Sequence, residues 1–390
     1  MAQHLKYENK IALCSPHSEP NHGTMLQAFA LAKAIENLGF QAEYISYVPY
    51  IKKTLFQKAV YYLLHPRQLI LKLSKHDRKK SIDDYSFFNT SVFAKTKYEF
   101  TNFYENLIPK TKIIYNPKTI KNIDGYSNFI VGSDQTWSPS RYKIGSIYFL
   151  DFLSKGIVKN SYAPSLGTIN VPDSFQSVLK QKLTVFNHLS CREAINCELI
   201  KKLTNKDVTH VVDPTMLLTI QQWDTMVQEV QIPKKYILCY ILGEKESISQ
   251  FAEKLSQEAG IPVYYIVTRP LYLQKQHAIN DIGPSHFIWL IKHAQYVITD
   301  SFHGTIFSML YNKDFYSFTK RDNDDEANDN SRIWELLKEF DLTSRFVNDG
   351  EYPHIDSINY EITNSIIVKR RKHSLSFLKQ IIINNEESYI

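Results

Sequence analysis

Three short stretches of the chain carry side chains that could do chemistry. The first is Tyr296-Val-Ile-Thr-Asp-Ser-Phe-His-Gly-Thr305. A hydrophobic strand should stop at Thr299, a polar turn should follow, and a helix should begin at Gly304 or Thr305. His303 then lies at a helix N-terminus, where backbone N–H groups favour an anion, and Gly304 lets a ligand approach closely. A histidine beside a bound phosphate or carboxylate has its protonated form favoured, which suits a general acid. The same position also suits a histidine satisfied by local hydrogen bonds.

The second stretch is Phe129-Ile-Val-Gly-Ser-Asp-Gln-Thr-Trp-Ser-Pro139. Asp134 could orient sugar hydroxyls, with Gln135 beside it, and Trp137 could stack on a sugar face. Equally, Ser133 or Asp134 could cap the turn while Trp137 enters the core. The third is Asn21-His22-Gly23, a glycine turn between a strand and a helix. It lacks GxGxxG spacing, and the chain has neither a GxxxxGK[ST] phosphate loop nor an HExxH metal pair. Arg192 follows a strand and could point into a cleft; Arg321 and Arg332 flank an acidic loop. Each could instead be an ordinary surface ion-pair partner, Arg192 with Glu193 and Arg332 with Glu335.

The elements that position these residues follow from periodicity. Lys10–Ser15 reads as a buried strand, residues 24–38 as an amphipathic helix ended by Gly39, and 41–48 as a second strand. Strand–turn–helix–strand is a βαβ unit and predicts a parallel sheet. Further strands are predicted at 128–134, 158–162, 189–191 and 208–212. After a crossing over 219–235 a second series follows at 236–242, 262–267, 296–299 and 314–318. Its helices fall near 247–259, 285–294, 304–312 and 331–339, with a closing helix at 362–383. Two doubly wound, Rossmann-like α/β domains facing a cleft, a glycosyltransferase-B-like architecture, are therefore expected: 1–220, with a basic helical insert near 50–120, and 221–345. Residues 346–390 form a C-terminal helical segment that could pack back on the first domain. Ligands of such folds bind at the carboxyl ends of the strands, between the domains.

Composition narrows the class. At 390 residues, 43% hydrophobic and 22% charged, with 25 Tyr and 22 Phe, the chain can bury two ordinary cores and is not of disordered type. Net charge is +6, which alone does not indicate nucleic acid. Cys14, Cys191, Cys197 and Cys239 show no CxxC spacing, so neither structural zinc nor a disulfide framework is expected, and a reducing cytosol is the default compartment. No apolar run approaches the ~18 residues of a membrane span. Residues 50–80 combine nine basic residues, among them Lys72, Lys75, Lys79 and Lys80, with one acid and an apolar, aromatic face. That suits either an interfacial helix on anionic lipid or a helix packed on the first domain with solvated lysines.

In one order, Asn21-His-Gly-Thr-Met-Leu-Gln-Ala-Phe-Ala30, Val131-Gly-Ser-Asp-Gln-Thr-Trp137, Arg192-Glu193, Asp213-Pro-Thr215, Thr299-Asp-Ser-Phe-His-Gly304 and Ser331-Arg-Ile333 resemble the polysaccharide pyruvyl transferase family, from about residue 10 to 345. The resemblance implies a glycosyltransferase-B-like fold, phosphoenolpyruvate as donor, a glycan acceptor, often lipid-linked, and no redox cofactor; no metal site is expected either. An Arg-Leu-His triplet of characterised members reads Ser301-Phe302-His303 here. The His carries over as the acid, and the missing Arg contact falls to Ser301, Arg192 or Arg332. On this reading His303 and Asp134 are catalytic. Arg192, Ser301, Gly304 and Arg332 hold the donor on the second domain's side, and Asn21, Gly23, Gln135 and Trp137 face the acceptor on the first's. The rivals are a glycosyltransferase with a nucleotide-sugar donor and a non-catalytic glycan-binding protein. A lipid-linked acceptor would place the protein in the cytoplasm at the inner membrane face.

Overall fold

The computed structural model describes residues 10–48, 89–126, 128–139, 147–154, 156–320, 331–353 and 357–383, and every element named below belongs to these. Residues 49–88, including the whole of the basic stretch 50–80, and 321–330, including Arg321, lie outside them.

The first domain runs β1 (Lys10–Cys14), α1 (His22–Asn37), β2 (Gln41–Tyr44), α2 (Ala94–Leu107), β3 (Asn128–Val131), β4 (Lys159–Ser161), α3 (Asp173–Leu183), β5 (Leu189–Cys191), α4 (Ala194–Thr204) and β6 (Val208–His210). Its strands are parallel, ordered β2-β1-β3-β4, with β5-β6 as a separate pair. A single parallel bridge, Asn160 to His188, carries the sheet on from β4 towards β5.

The short helix α5 (Ile220–Asp224) leads into the second domain: β7 (Ile237–Tyr240), α6 (Glu246–Ala259), β8 (Val263–Ile266), β9 (Ala278–Ile279), α7 (Pro284–His293), β10 (Tyr296–Thr299), α8 (Phe302–Leu310), β11 (Asp314–Phe318), α9 (Ser331–Glu339) and β12 (Phe346–Val347). These strands are parallel in the order β12-β11-β10-β7-β8-β9. β1, β3, β7 and β10 read as largely apolar runs, as strands covered by helices on both faces of a parallel sheet do; all four residues of β3 and of β7 are buried.

In each sheet the chain reverses its direction of winding at one place, between β1 and β3 in the first and between β7 and β10 in the second. A crevice opens outside the strand ends at such a switch point. The three stretches singled out in the sequence follow β1, β3 and β10, so all three border these crevices.

α1 is buried on nearly every side, because it packs against α7 and α8 of the second domain as well as its own sheet. Alanines at 28, 30, 32 and 34 keep it slim enough for that position. At its first residue, His22 stacks on Phe287 at 5.0 Å and meets Tyr240 edge-on at 5.5 Å. The final helix, α10 (Tyr360–Ile383), straps the halves together. Near its start Thr363 Oγ1 donates to the Phe340 carbonyl at 3.2 Å. Near its end the Ile381 carbonyl accepts from Asn128 and Asn160 at 2.8 and 3.1 Å. Among the described residues no helix is long and apolar enough to cross a membrane.

Candidate active site

The strand ends converge on Asp213, three residues beyond β6. Its side chain is buried in a ring of donors. Oδ2 accepts from Arg192 Nη1 at 3.0 Å and lies 3.6 Å from His303 Nε2 and 3.5 Å from Ser133 Oγ. Oδ1 accepts from the Thr215 backbone N–H at 3.0 Å and its hydroxyl at 2.7 Å. Burial alone would raise the Asp213 carboxyl, but His303, Arg192 and Thr215 outweigh it and hold it well below the usual carboxylate range. Asp213 is therefore a fixed anion at neutral pH.

Arg192, just past β5, is 5% exposed, which rules out a surface ion pair. Its Nε donates to Glu193 Oε1 at 3.0 Å while Nη1 goes to Asp213. Glu193 is itself held by Ser165 Oγ at 2.8 Å and Asn196 Nδ2 at 3.2 Å. Burial would lower the guanidinium, but Glu193, Asp213 and Asp134 raise it, so it too keeps its charge. Nη2 is buried without a hydrogen-bond partner. A buried N–H of a fixed cation with nothing to donate to is a place for an anionic ligand atom.

His303 is the second residue of α8, which starts at Phe302, two or three residues before the expected start at Gly304 or Thr305. Ser301 is the N-cap, accepting from Gly304 N at 3.3 Å. The distance from His303 Nε2 to Asp213 exceeds a hydrogen bond, and Nε2 is buried with no hydrogen-bond partner. On its other side the ring lies against Gly23: a Cβ there would sit 2.1 Å from Nδ1 and 2.4 Å from Cγ. Gly23→Ala must therefore push the imidazole out of place. A displacement near 1 Å can cost ~10²-fold in rate, so this variant should lose one to two decades of kcat with little change in substrate KM. A kcat within twofold of wild type would show that the ring is not held where it acts.

Gly304 is required for packing rather than for access. A Cβ at that position would meet Thr299 Oγ1 at 2.5 Å and Tyr240 Cδ1 at 3.1 Å, and its N–H is taken by the cap. The helix start at Gly304 is thus not the open anion cradle expected of it. Trp137 needs a firmer correction. It is 0% exposed, its ring lies against Phe149 and Phe186, and its N–H donates to the Tyr148 carbonyl at 3.0 Å. With both the ring and its polar atom used in the core, it offers no platform to a sugar. Asn21 caps α1, accepting from Thr24 N at 3.1 Å. Gln135 is buried against the Gly167 turn. Asp134 adopts a left-handed conformation, φ 62°, and accepts from Thr24 Oγ1 at 3.0 Å, joining the β1 and β3 crevice walls.

Beside this cluster a cavity of about 440 Å³ is lined by Arg192, Asp213, Phe302, Arg332, Glu339 and Arg370, among others. The Phe302 ring has the Arg192 guanidinium 4.0 Å and the Arg332 guanidinium 5.6 Å from its centre. The structure thus brings His303, Arg192 and Gly23 together, with Arg332 lining the same cavity. The carboxylate at their centre, Asp213, had no assigned role. An acid at a strand end before Pro214 was the available signal, but nothing local tells which strand end faces His303. Among the described residues no group of three or more His, Cys, Asp or Glu could hold a metal ion.

Comparison with known proteins adds to this geometry. A family model described as polysaccharide pyruvyl transferase matches residues 21–320. The UDP-GlcNAc 2-epimerase of Methanocaldococcus jannaschii superposes with a TM-score of 0.52 at 10% identity, covering 94% of this chain and 92% of that one. The UDP-GlcNAc 2-epimerase of Neisseria meningitidis gives 0.42 at 12%, covering 93% and 99%. The first likeness supports the fold alone, two Rossmann-like domains in the glycosyltransferase-B-like arrangement. No curated protein matches the chain.

Proposed function

The chain belongs to the polysaccharide pyruvyl transferase family, and from that premise we propose that it transfers the pyruvyl group of phosphoenolpyruvate to two hydroxyls of one sugar, forming a cyclic ketal. The observation that supports this most is the meeting of His303, Asp213 and Arg192 at the junction of the two crevices. An enol ether needs one acid at C3 and cations around its phosphate and carboxylate, and these residues are of those types.

In the proposed reaction His303 Nε2 gives its proton to C3 of phosphoenolpyruvate, and C2 becomes oxocarbenium-like. One sugar hydroxyl attacks C2 and returns its proton to His303; the C2–O bond to phosphate then breaks, and the second hydroxyl closes the ketal, its proton leaving with the phosphate. The products are the ketal and inorganic phosphate. The Asp213 anion and an imidazolium at His303 attract one another, which orients the ring for proton transfer. Arg192 Nη2 and Arg332 take the donor's anionic groups, a contact worth roughly 1.5–3 kcal/mol each when charge-assisted. Asp134, held by Thr24, accepts from the acceptor's hydroxyls. The acceptor in this reading is a lipid-linked precursor of a bacterial surface glycan or exopolysaccharide, met at the inner membrane face.

Ser301 standing where characterised relatives have an arginine makes a nucleotide-sugar donor the reading to test against. Phosphoenolpyruvate should raise the thermal midpoint, by about 2.7 kcal/mol in free energy at a hundredfold excess over Kd, and UDP or CMP should not. Protection by a nucleotide and none by phosphoenolpyruvate would reverse the assignment.

A further inference from the structure

Three residues outside the reacting cluster join the walls of the donor cavity. His210, the last residue of β6, has Nε2 3.1 Å from the Arg192 carbonyl. Its Nδ1 lies 2.9 Å from Arg370 Nη2, which also donates to the His210 carbonyl at 3.2 Å. A guanidinium can only donate, so Nδ1 is the acceptor; the ring proton is then on Nε2 and is donated to Arg192. Arg370 Nε pairs with Glu339 Oε1, and Glu339 Oε2 is 3.6 Å from His210 Nε2.

These contacts span the molecule. His210 and Arg192 belong to the first domain, Glu339 to α9 of the second, and Arg370 to the strap α10. Seven residues separate Arg332 from Glu339, two turns of one helix, so both lie on the same face of α9. The ion pair that docks Glu339 therefore also sets where Arg332 stands over Phe302. The hydrogen bond to the Arg192 carbonyl ties the first-domain lining of the cavity to the same group. α10 is a firm base for this: next to Arg370, Arg371 Nε donates to the Met216 carbonyl at 2.6 Å, and Ser374 Oγ accepts from Val212 N at 3.0 Å.

We propose that His210, Glu339 and Arg370 are positioning residues that set the separation of Arg192 and Arg332 in the cavity, an inference that rests on those two arginines holding the donor. The expected signature is a change in donor KM with kcat largely preserved, because the acid at His303 is not part of the linkage.

A double-mutant cycle on the full chain tests it. Arg370→Met should raise donor KM about tenfold, with kcat and acceptor KM within about twofold. In an Arg332→Ala background the same change should add less than about twofold, because its effect runs through Arg332. Glu339→Gln keeps the side-chain shape and loses the charge; it should show the same pattern at smaller size, and it serves if Arg370→Met fails to fold. Equal KM effects in both backgrounds, or a fall in kcat as large as the rise in KM, would overturn the linkage. Amide hydrogen exchange gives a donor-independent measure. Residues 331–339 should exchange at least tenfold faster in Arg370→Met and Glu339→Gln, with α1 unchanged. Unchanged exchange in α9 overturns the proposal whatever the donor. Faster exchange in α9, in a protein that does not turn over phosphoenolpyruvate, supports the linkage and sinks the donor assignment.

Discussion

Replacing His303 with Ala is expected to lower kcat for pyruvyl transfer by ~10²–10⁴, the usual worth of a positioned general acid, without unfolding the protein. The second half of that expectation comes from the bonding of Asp213. Without the imidazole its carboxylate keeps Arg192 Nη1 and both Thr215 donors, so no buried charge is left uncompensated. Steady-state kinetics beside a denaturant melt would separate the two effects. His303→Gln, which fills more of the space, should be as inactive as the Ala variant. Near-normal turnover by either would remove the acid role.

The other large effect is expected at Arg192, and it is of a different kind. Arg192→Ala strands two buried carboxylates at once, Asp213 and Glu193, whose side chains are 0% and 4% exposed. Breaking a buried pair by removing one partner costs about 3–5 kcal/mol, so this variant should lose stability as well as donor affinity. Arg192→Lys should recover little of either, because one ammonium cannot reach two carboxylates as the planar fork does. Arg332→Ala is the control. Arg332 is only half-buried, so the variant should stay within about 1 kcal/mol of wild-type stability while donor KM rises about tenfold. Urea titrations of the three variants read this directly; an Arg192→Ala protein as stable as Arg332→Ala would contradict the buried network.

Much of this was legible along the chain. β1, β3, β7 and β10 announced themselves because each is a short, largely apolar run closed by a polar turn. That same pattern put His303, Asp134 and Gly23 at strand ends before any sheet was known. What the chain could not show is sheet order. Asp213 follows a three-residue strand with no fully buried position, a weak local signal, and its meeting with His303, ninety positions away, depends on how β6 lies beside the second domain. The linkage of His210 to Arg370 spans 160 residues and has no local trace at all. Trp137 misled for a different reason. An aromatic residue just after a strand end is equally consistent with a sugar platform and a core plug, and only the rings of Phe149 and Phe186 decide. Gly304 was read as a close approach for a ligand, but Thr299 and Tyr240 pack there, as His303 packs against Gly23.

The chemistry itself is tested most directly by running the transfer in deuterium oxide with phosphoenolpyruvate and a glycan acceptor. Protonation at C3 turns the donor's methylene into the methyl group of the ketal, and the added hydrogen comes from an acid that exchanges with solvent. Mass and NMR spectra of the product should show one deuterium in that methyl group, with inorganic phosphate released in equal amount. A glycan that gains no pyruvyl group, or a ketal methyl that carries no solvent deuterium, would contradict the reaction proposed for His303.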